Sequence, residues 1–228
     1  MRLLTVDTST NVFSIALSED AKVLCEESGD AGPSTSAAIP SLIRSLFKHS
    51  GFQPEDLDAF AVTMGPGSFT GVRIGIALVK GLAYATGKPV VPLSSLELLA
   101  MNAGMSTVPV CTMFDARKGE VYSATFSFTG GMKLIRMEKA ADPLTVIDET
   151  DEATLFIGDG ATRYQELICG RLGRLAIYPE EHLHRPRASA AVPLAIKRLR
   201  SGAAVSPFDL QPRYLRLSEA ELSRARSV

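Results

Sequence analysis

The stretch RLLTVDTSTNVFSIAL, residues 2–17, reads as strand, turn, strand. An apolar run closes on Asp7, a polar turn Thr8-Ser9-Thr10-Asn11 follows, and Val12 to Leu17 alternates well enough for a second strand. Lys22 to Glu27 adds a third strand, so the opening is an antiparallel meander. A helix over 36–50 comes next, with Ser34, Thr35 and Ser36 as N-cap candidates and Gly51 as its stop. Asp58 to Met64 is a buried-looking strand, and the run Gly65-Pro66-Gly67-Ser68-Phe69-Thr70-Gly71 leads into a helix ending near Gly87. Val90-Val91 and a helix with a Ser94/Glu97 capping box, closed by Gly104, complete this half. The pattern then restarts. Val108 to Phe114 is a strand ending on Asp115, Glu120 to Phe128 is the next, and Thr129-Gly130-Gly131 turns the chain into Met132 to Glu138. Helix, strand and helix follow at 143–150, 154–157 and 161–169, then a short strand at 175–178 and a helix over 189–199. Strand-strand-strand-helix-strand-helix occurs twice, with Asp7 and Asp115 in equivalent places. The class is α/β: two stacked βββαβα subdomains with mixed sheets, residues 1–104 and 105–206, then a tail over 207–228.

A length of 228 residues suits one large domain or two small ones, and 46% hydrophobic residues supply a core that excludes disorder. No apolar run approaches the roughly 20 residues of a membrane span. Leu3 to Val6 is too short for a signal-peptide core. Cys25, Cys111 and Cys169 are odd in number and far apart, which gives neither a disulfide framework nor a CxxC zinc pattern. The expectation is a reduced, cytoplasmic protein. A net charge of −1 argues against a stand-alone nucleic-acid binder. The charge is uneven, however: residues 1–170 sum to −7 and residues 171–228 to +6.

The glycine-rich run fits no standard phosphate motif. Gly65, Gly67 and Gly71 are spaced GxGxxxG rather than GxGxxG, and Val72-Arg73 stand where a P-loop needs Lys and a hydroxyl. Pro66 occupies the first glycine position of a nucleophile elbow around Ser68. Two readings stay open: a turn passing close to another backbone, or an anion held on the helix N-terminus. His49 suits a helix C-terminus, and His182-x-His184 between acids and Arg185 reads as loop surface or as a bare metal pair. Asp7 and Asp115 are the best acids for catalysis or magnesium; each could equally cap its own turn.

Four segments resemble the bacterial TsaB (YeaZ) family: Leu3 to Thr10, GPGSFTGVRIG at 65–75, Asp115-Ala116-Arg117-Lys118-Gly119-Glu120-Val121-Tyr122, and Pro212-Arg213-Tyr214-Leu215-Arg216. They come in family order over nearly the whole chain. The resemblance implies an actin-like fold of the sugar-kinase and Hsp70 type. It further implies a non-catalytic subunit that binds the catalytic TsaD, with the ATPase TsaE, for threonylcarbamoylation of the tRNA adenosine beside the anticodon. Threonylcarbamoyl-AMP comes from a separate enzyme. TsaD-type chains carry an HxxxH metal pair on the first helix, and residues 34–46 here have no histidine. Ser34-Thr35-Ser36 also replaces the single histidine many TsaB chains keep there. The implied set is no catalytic residue, no metal and no cofactor on this chain alone. Asp7, Ser68 and Asp115 are then vestiges, and ATP or ADP, if engaged, belongs to the complex interface. The implied partners are TsaD and TsaE, a second copy when TsaD is absent, and tRNA only through the complex. The alternative is an active actin-fold phosphotransferase or metallopeptidase-like hydrolase using Asp7 and Asp115.

The helix after the glycine run is apolar around most of its circumference. Ile74, Leu78, Leu82 and Ala85 form the side expected on its own sheet, which leaves Val72, Ile76, Val79 and Ala83 as a second seam beside Gly71 and Gly75. Either the helix over 36–50 covers that seam, or it meets a partner. The interface expected on the second reading comprises these residues with Ile39, Leu42, Ile43 and Leu46. The basic tail likewise either docks on the acidic remainder or, through Arg213, Arg216, Arg224 and Arg226, extends a tRNA-binding surface.

Overall fold

The computed structural model describes residues 1–32, 35–104 and 106–216. Ser34, Arg224 and Arg226 lie outside them. The first meander is β1 (Arg2–Asp7), β2 (Val12–Glu19) and β3 (Lys22–Asp30), followed by α1 (Thr35–Ser50), β4 (Ala59–Thr63), α2 (Phe69–Thr86), β5 (Val90–Leu93) and α3 (Ser95–Met101). The second half runs β6 (Val110–Arg117), β7 (Glu120–Ser127), β8 (Lys133–Ala141), α4 (Pro143–Asp148), β9 (Thr154–Ile157), α5 (Asp159–Arg163), α6 (Gln165–Leu172), β10 (Ala176–Ile177) and α7 (Val192–Arg200).

Each half builds one mixed five-stranded sheet, in the orders β3-β2-β1-β4-β5 and β8-β7-β6-β9-β10. The repeat read from sequence is therefore a repeat of topology. β1 and β6 each pair antiparallel with the next strand and parallel with the strand after a helix. Alternation places Leu4, Val6, Phe60 and Val62 on one face of the first sheet and Leu3, Ala59 and Ala61 on the other. Both faces are covered, so β1 and β4 read as nearly continuous apolar runs. The expected helix over 161–169 is instead two, α5 and α6, broken at Tyr164 (φ −104°, ψ 19°).

The helices do not stay with their own sequence halves. Leu96, Leu99 and Ala100 of α3 pack against the second sheet beside Val110 and Phe114. Val192, Ala195 and Ile196 of α7, expected in the second unit, cover the face of the first sheet that carries Leu3 and Ala61. Val205 then bridges to Val90, and Leu210 is buried in the first core. A cut at residue 104 or 206 thus divides the sequence but not the packing.

The return of the chain to the first sheet is fixed on Glu26. Its carboxylate accepts from Ser189 N (2.9 Å), Ser189 Oγ (2.7 Å), Arg187 Nη2 (3.0 Å) and Ser14 Oγ (3.0 Å). Burial alone would raise this carboxyl, but the bonds from Ser189, Arg187 and Ser14 outweigh it and hold it below its usual range. A depressed carboxyl stabilises the fold above its unfolded pKa of about 4.3 and loses that contribution as pH falls through the folded value. Glu26→Gln should therefore cost about 2 kcal/mol at pH 7. Denaturant melts at decreasing pH should show the gap from the parent closing below pH of about 4.

Candidate functional site

The turns after β1 and inside the β6–β7 hairpin face each other across a cleft between the sheets. Two connected hollows of about 300 and 850 Å³ share Thr10, Asn11, Phe114 and Asp159 as lining. Asp115, Arg117, Ser68 and Arg216 line the smaller one, and Arg163, His182 and His184 the larger.

Asp115 is held by cations of its own chain. Its Oδ2 lies 2.8 Å from Arg163 Nη1 and 3.6 Å from Arg117, and its Oδ1 accepts from Arg117 N at 2.9 Å. Asp159 is the acid it is joined to, accepting from Asp115 N at 3.1 Å. Burial raises the Asp159 carboxyl, and the Asp115 charge adds to that rise. Asp7 is elsewhere: fully buried, with Oδ1 accepting from Thr63 Oγ1 (2.5 Å) and Ser9 N (3.2 Å). Burial pushes its carboxyl up against the lowering effect of those bonds. The cap reading of these acids thus describes their contacts, since each bonds the amide two residues on.

Ser68 is the N-cap of α2, accepting from Gly71 N at 3.2 Å. The glycine run packs against the turn after β1. A Cβ at Gly67 would lie 2.0 Å from the Ser9 carbonyl oxygen, and one at Gly71 would lie 2.0 Å from that of Thr8. Ser68 N donates to Ser9 O at 2.7 Å. Of the two readings of this run, close backbone approach is the one the structure displays. The later pair behaves alike: Cβ atoms at Gly158 and Gly160 would meet the Met113 and Phe114 backbone at 2.2 and 2.8 Å. The spaces these glycines open are filled by the chain itself, so they do not fit as a cradle for a nucleotide.

His182 pairs with Glu180, whereas His184 bonds Gly158 through Nδ1, accepting from its N–H at 3.1 Å. Burial lowers the His184 pKa and favours the neutral ring that this acceptor role needs. Among the described residues, no three His, Cys, Asp or Glu side chains come together as metal ligands would.

The expected partner interface needs correction. Val72, Ile76, Val79 and Ala83 are buried, as are Ile39, Ile43 and Leu46, and all belong to the core on the first sheet; Leu42 packs against it. Gly71 and Gly75 set the orientation, because a Cβ at either would strike Thr8. Side chains on the glycine side of α2 therefore face the sheet, and the two sides assigned from sequence are exchanged. Ile74, Leu78 and Leu82 are the half-exposed ridge. Leu78 and Leu82 form, with Pro40, Ile43, Phe47 and Pro54, an apolar groove of about 510 Å³ between α2 and α1, rimmed by Arg44 and Lys48. The signal that could have found this side was the glycine pair itself.

The tail docks on the rest of the chain as far as residue 216. Arg213 and Arg216 pair with Glu138 (2.9 Å) and Glu120 (2.7 Å) of the second sheet. Tyr214 stacks on Phe69 at 4.4 Å.

Comparison with known proteins gives a consistent result. The family model of TsaD, tRNA N6-adenosine threonylcarbamoyltransferase, matches residues 30–224. The tRNA threonylcarbamoyladenosine biosynthesis protein TsaB of Bacillus subtilis is 32% identical, with 97% of this chain and 96% of that protein covered. The structure of YeaZ from Pseudomonas aeruginosa superposes with a TM-score of 0.80 at 31% identity, over 94% of this chain and 99% of that one. The ADPNP-bound activator of 2-hydroxyisocaproyl-CoA dehydratase from Clostridium difficile, 10% identical with a TM-score of 0.51, covers 89% of this chain and 97% of its own. That likeness shows the actin-like ATPase fold.

Proposed function

This chain belongs to the TsaB family and acts in tRNA threonylcarbamoyladenosine biosynthesis, and we propose that it does so as a non-catalytic scaffold for a TsaD-type subunit. The observation that carries the reading is the treatment of its acids: Asp115 is neutralised by Arg163, and Asp7 is sealed under Thr63. Asp7 has no surface open to a substrate, and Asp115, although it lines the cleft, has both carboxylate oxygens engaged by Arg163 and Arg117.

Partner capture is assigned to the α1–α2 groove. The TsaD model matches most of this chain, so a TsaD-type partner has an equivalent helix pair. Two such pairs can meet face to face by a pseudo-twofold operation, each covering the other's apolar ridge. A second copy occupies the groove when the partner is absent. TsaE and tRNA join the complex through TsaD, in the cytoplasm, and any ATP or ADP is held at the complex interface. Among the described residues no helix is long and apolar enough to cross a membrane.

Gel filtration of the purified chain mixed with a purified TsaD-type subunit should give a stable complex. Calorimetric titration of the chain alone with Mg-ATP should give no micromolar binding and no turnover. Micromolar binding with hydrolysis would favour the phosphotransferase alternative.

A further inference from the structure

We infer that residues 213–216 are a clasp that holds together the two loops flanking the cleft. Arg213 N donates to Met64 O at 2.7 Å, and its carbonyl lies against Gly65, where a Cβ would stand 2.7 Å away. The next side chain, Tyr214, stacks on Phe69, and its hydroxyl accepts from Arg73 Nε at 2.7 Å. These four contacts are all with the segment from the end of β4 into α2. Leu215 then packs into the core of the second sheet, while Arg216 pairs with Glu120 and Arg213 with Glu138, on β7 and β8. Four consecutive residues, 213–216, thus hold both halves, and Phe69 and Arg216 line the cleft they border.

The connection matters because α3 and α7 already interlock the two sheets by packing, and the clasp adds the ties that reach the loops at the cleft. The clasp ties the two loops that flank the cleft, 65–71 and 115–120, to one strap. Glu138 and Leu215 are the inner anchors, while the Arg213 side chain is 51% exposed and the pair of Arg216 with Glu120 is only partly buried. Such contacts can be released without unfolding the sheets, whose strands are buried.

The test is amide hydrogen exchange on the full-length chain. In Tyr214→Ala/Arg216→Gln, segments 65–71 and 115–120 should exchange about tenfold faster, with β1 and β4 unchanged. Arg216→Glu should do the same, and adding Glu120→Arg should restore protection by re-forming the pair in reverse. Unchanged exchange in both segments would overturn the clasp. So would equal acceleration in β1 and β4, which would make the strap one part of a single cooperative core. Failure of the charge reversal to restore protection would also count against it.

Discussion

Leu78→Glu should leave the chain folded but sharply weaken capture of a TsaD-type subunit, whereas Ile76→Arg, two residues away, should prevent folding. Leu78 is on the open ridge of α2, and its replacement puts a charge where the partner's apolar surface would close. Central apolar anchors typically cost 2–4 kcal/mol when lost, so affinity should fall by about 100-fold. Ile76 is 5% exposed and sits among Leu4, Val6, Phe60 and Val62. A guanidinium there has no partner, and a buried unpaired charge costs several kcal/mol against a total stability of about 5–15. Circular dichroism melts and titration with the purified partner separate the two outcomes. Unchanged affinity in Leu78→Glu would remove the groove as docking site. A stable, folded Ile76→Arg would mean α2 is turned the other way.

Gly71→Ala should be among the most damaging single-carbon changes in the molecule. Its new methyl group would stand 2.0 Å from the Thr8 carbonyl oxygen, a backbone atom that cannot move without shifting the turn after β1. The same turn donates Thr8 Oγ1 to Gly71 O at 2.7 Å, so relief of the clash breaks that bond too. A loss above about 3 kcal/mol is expected, combining overpacking with the broken hydrogen bond. For a chain of this size that corresponds to a melting temperature lower by roughly 6–12 °C. Gly81→Ala on the same helix is the control. Nothing lies within 4 Å of its added Cβ, and the change should stabilise by about 0.5–1 kcal/mol. Equal melting temperatures for the two variants would contradict the packing described for the glycine run.

Local signals carried the sequence reading a long way. Strand alternation, the Ser94/Glu97 capping box and the repeated Asp-ended strand placed nearly every element, because each depends on neighbours in sequence. The exchange of α3 and α7 between sheets was not legible, since an amphipathic helix shows which side is apolar but not which sheet will cover it. The same ambiguity reversed the two sides of α2. Hydrophobicity alone could not choose between the Ile76 and Leu78 sides, and the choice was made by backbone contact at Gly71 and Gly75. At the cleft, Asp115 was legible as a turn acid. Its partner Arg163 was not, because the pair joins residues 48 apart in the chain.

The central proposal is that this chain supports catalysis without performing it. The most direct measurement is threonylcarbamoyl transfer to tRNA by the reconstituted complex carrying Asp7→Asn/Asp115→Asn, scored beside partner affinity for the same preparation. A scaffold should retain activity within about threefold of the parent, whereas loss of a catalytic carboxylate typically costs on the order of 100-fold or more. A 100-fold loss in a variant that remains folded and binds its partner normally would contradict the account.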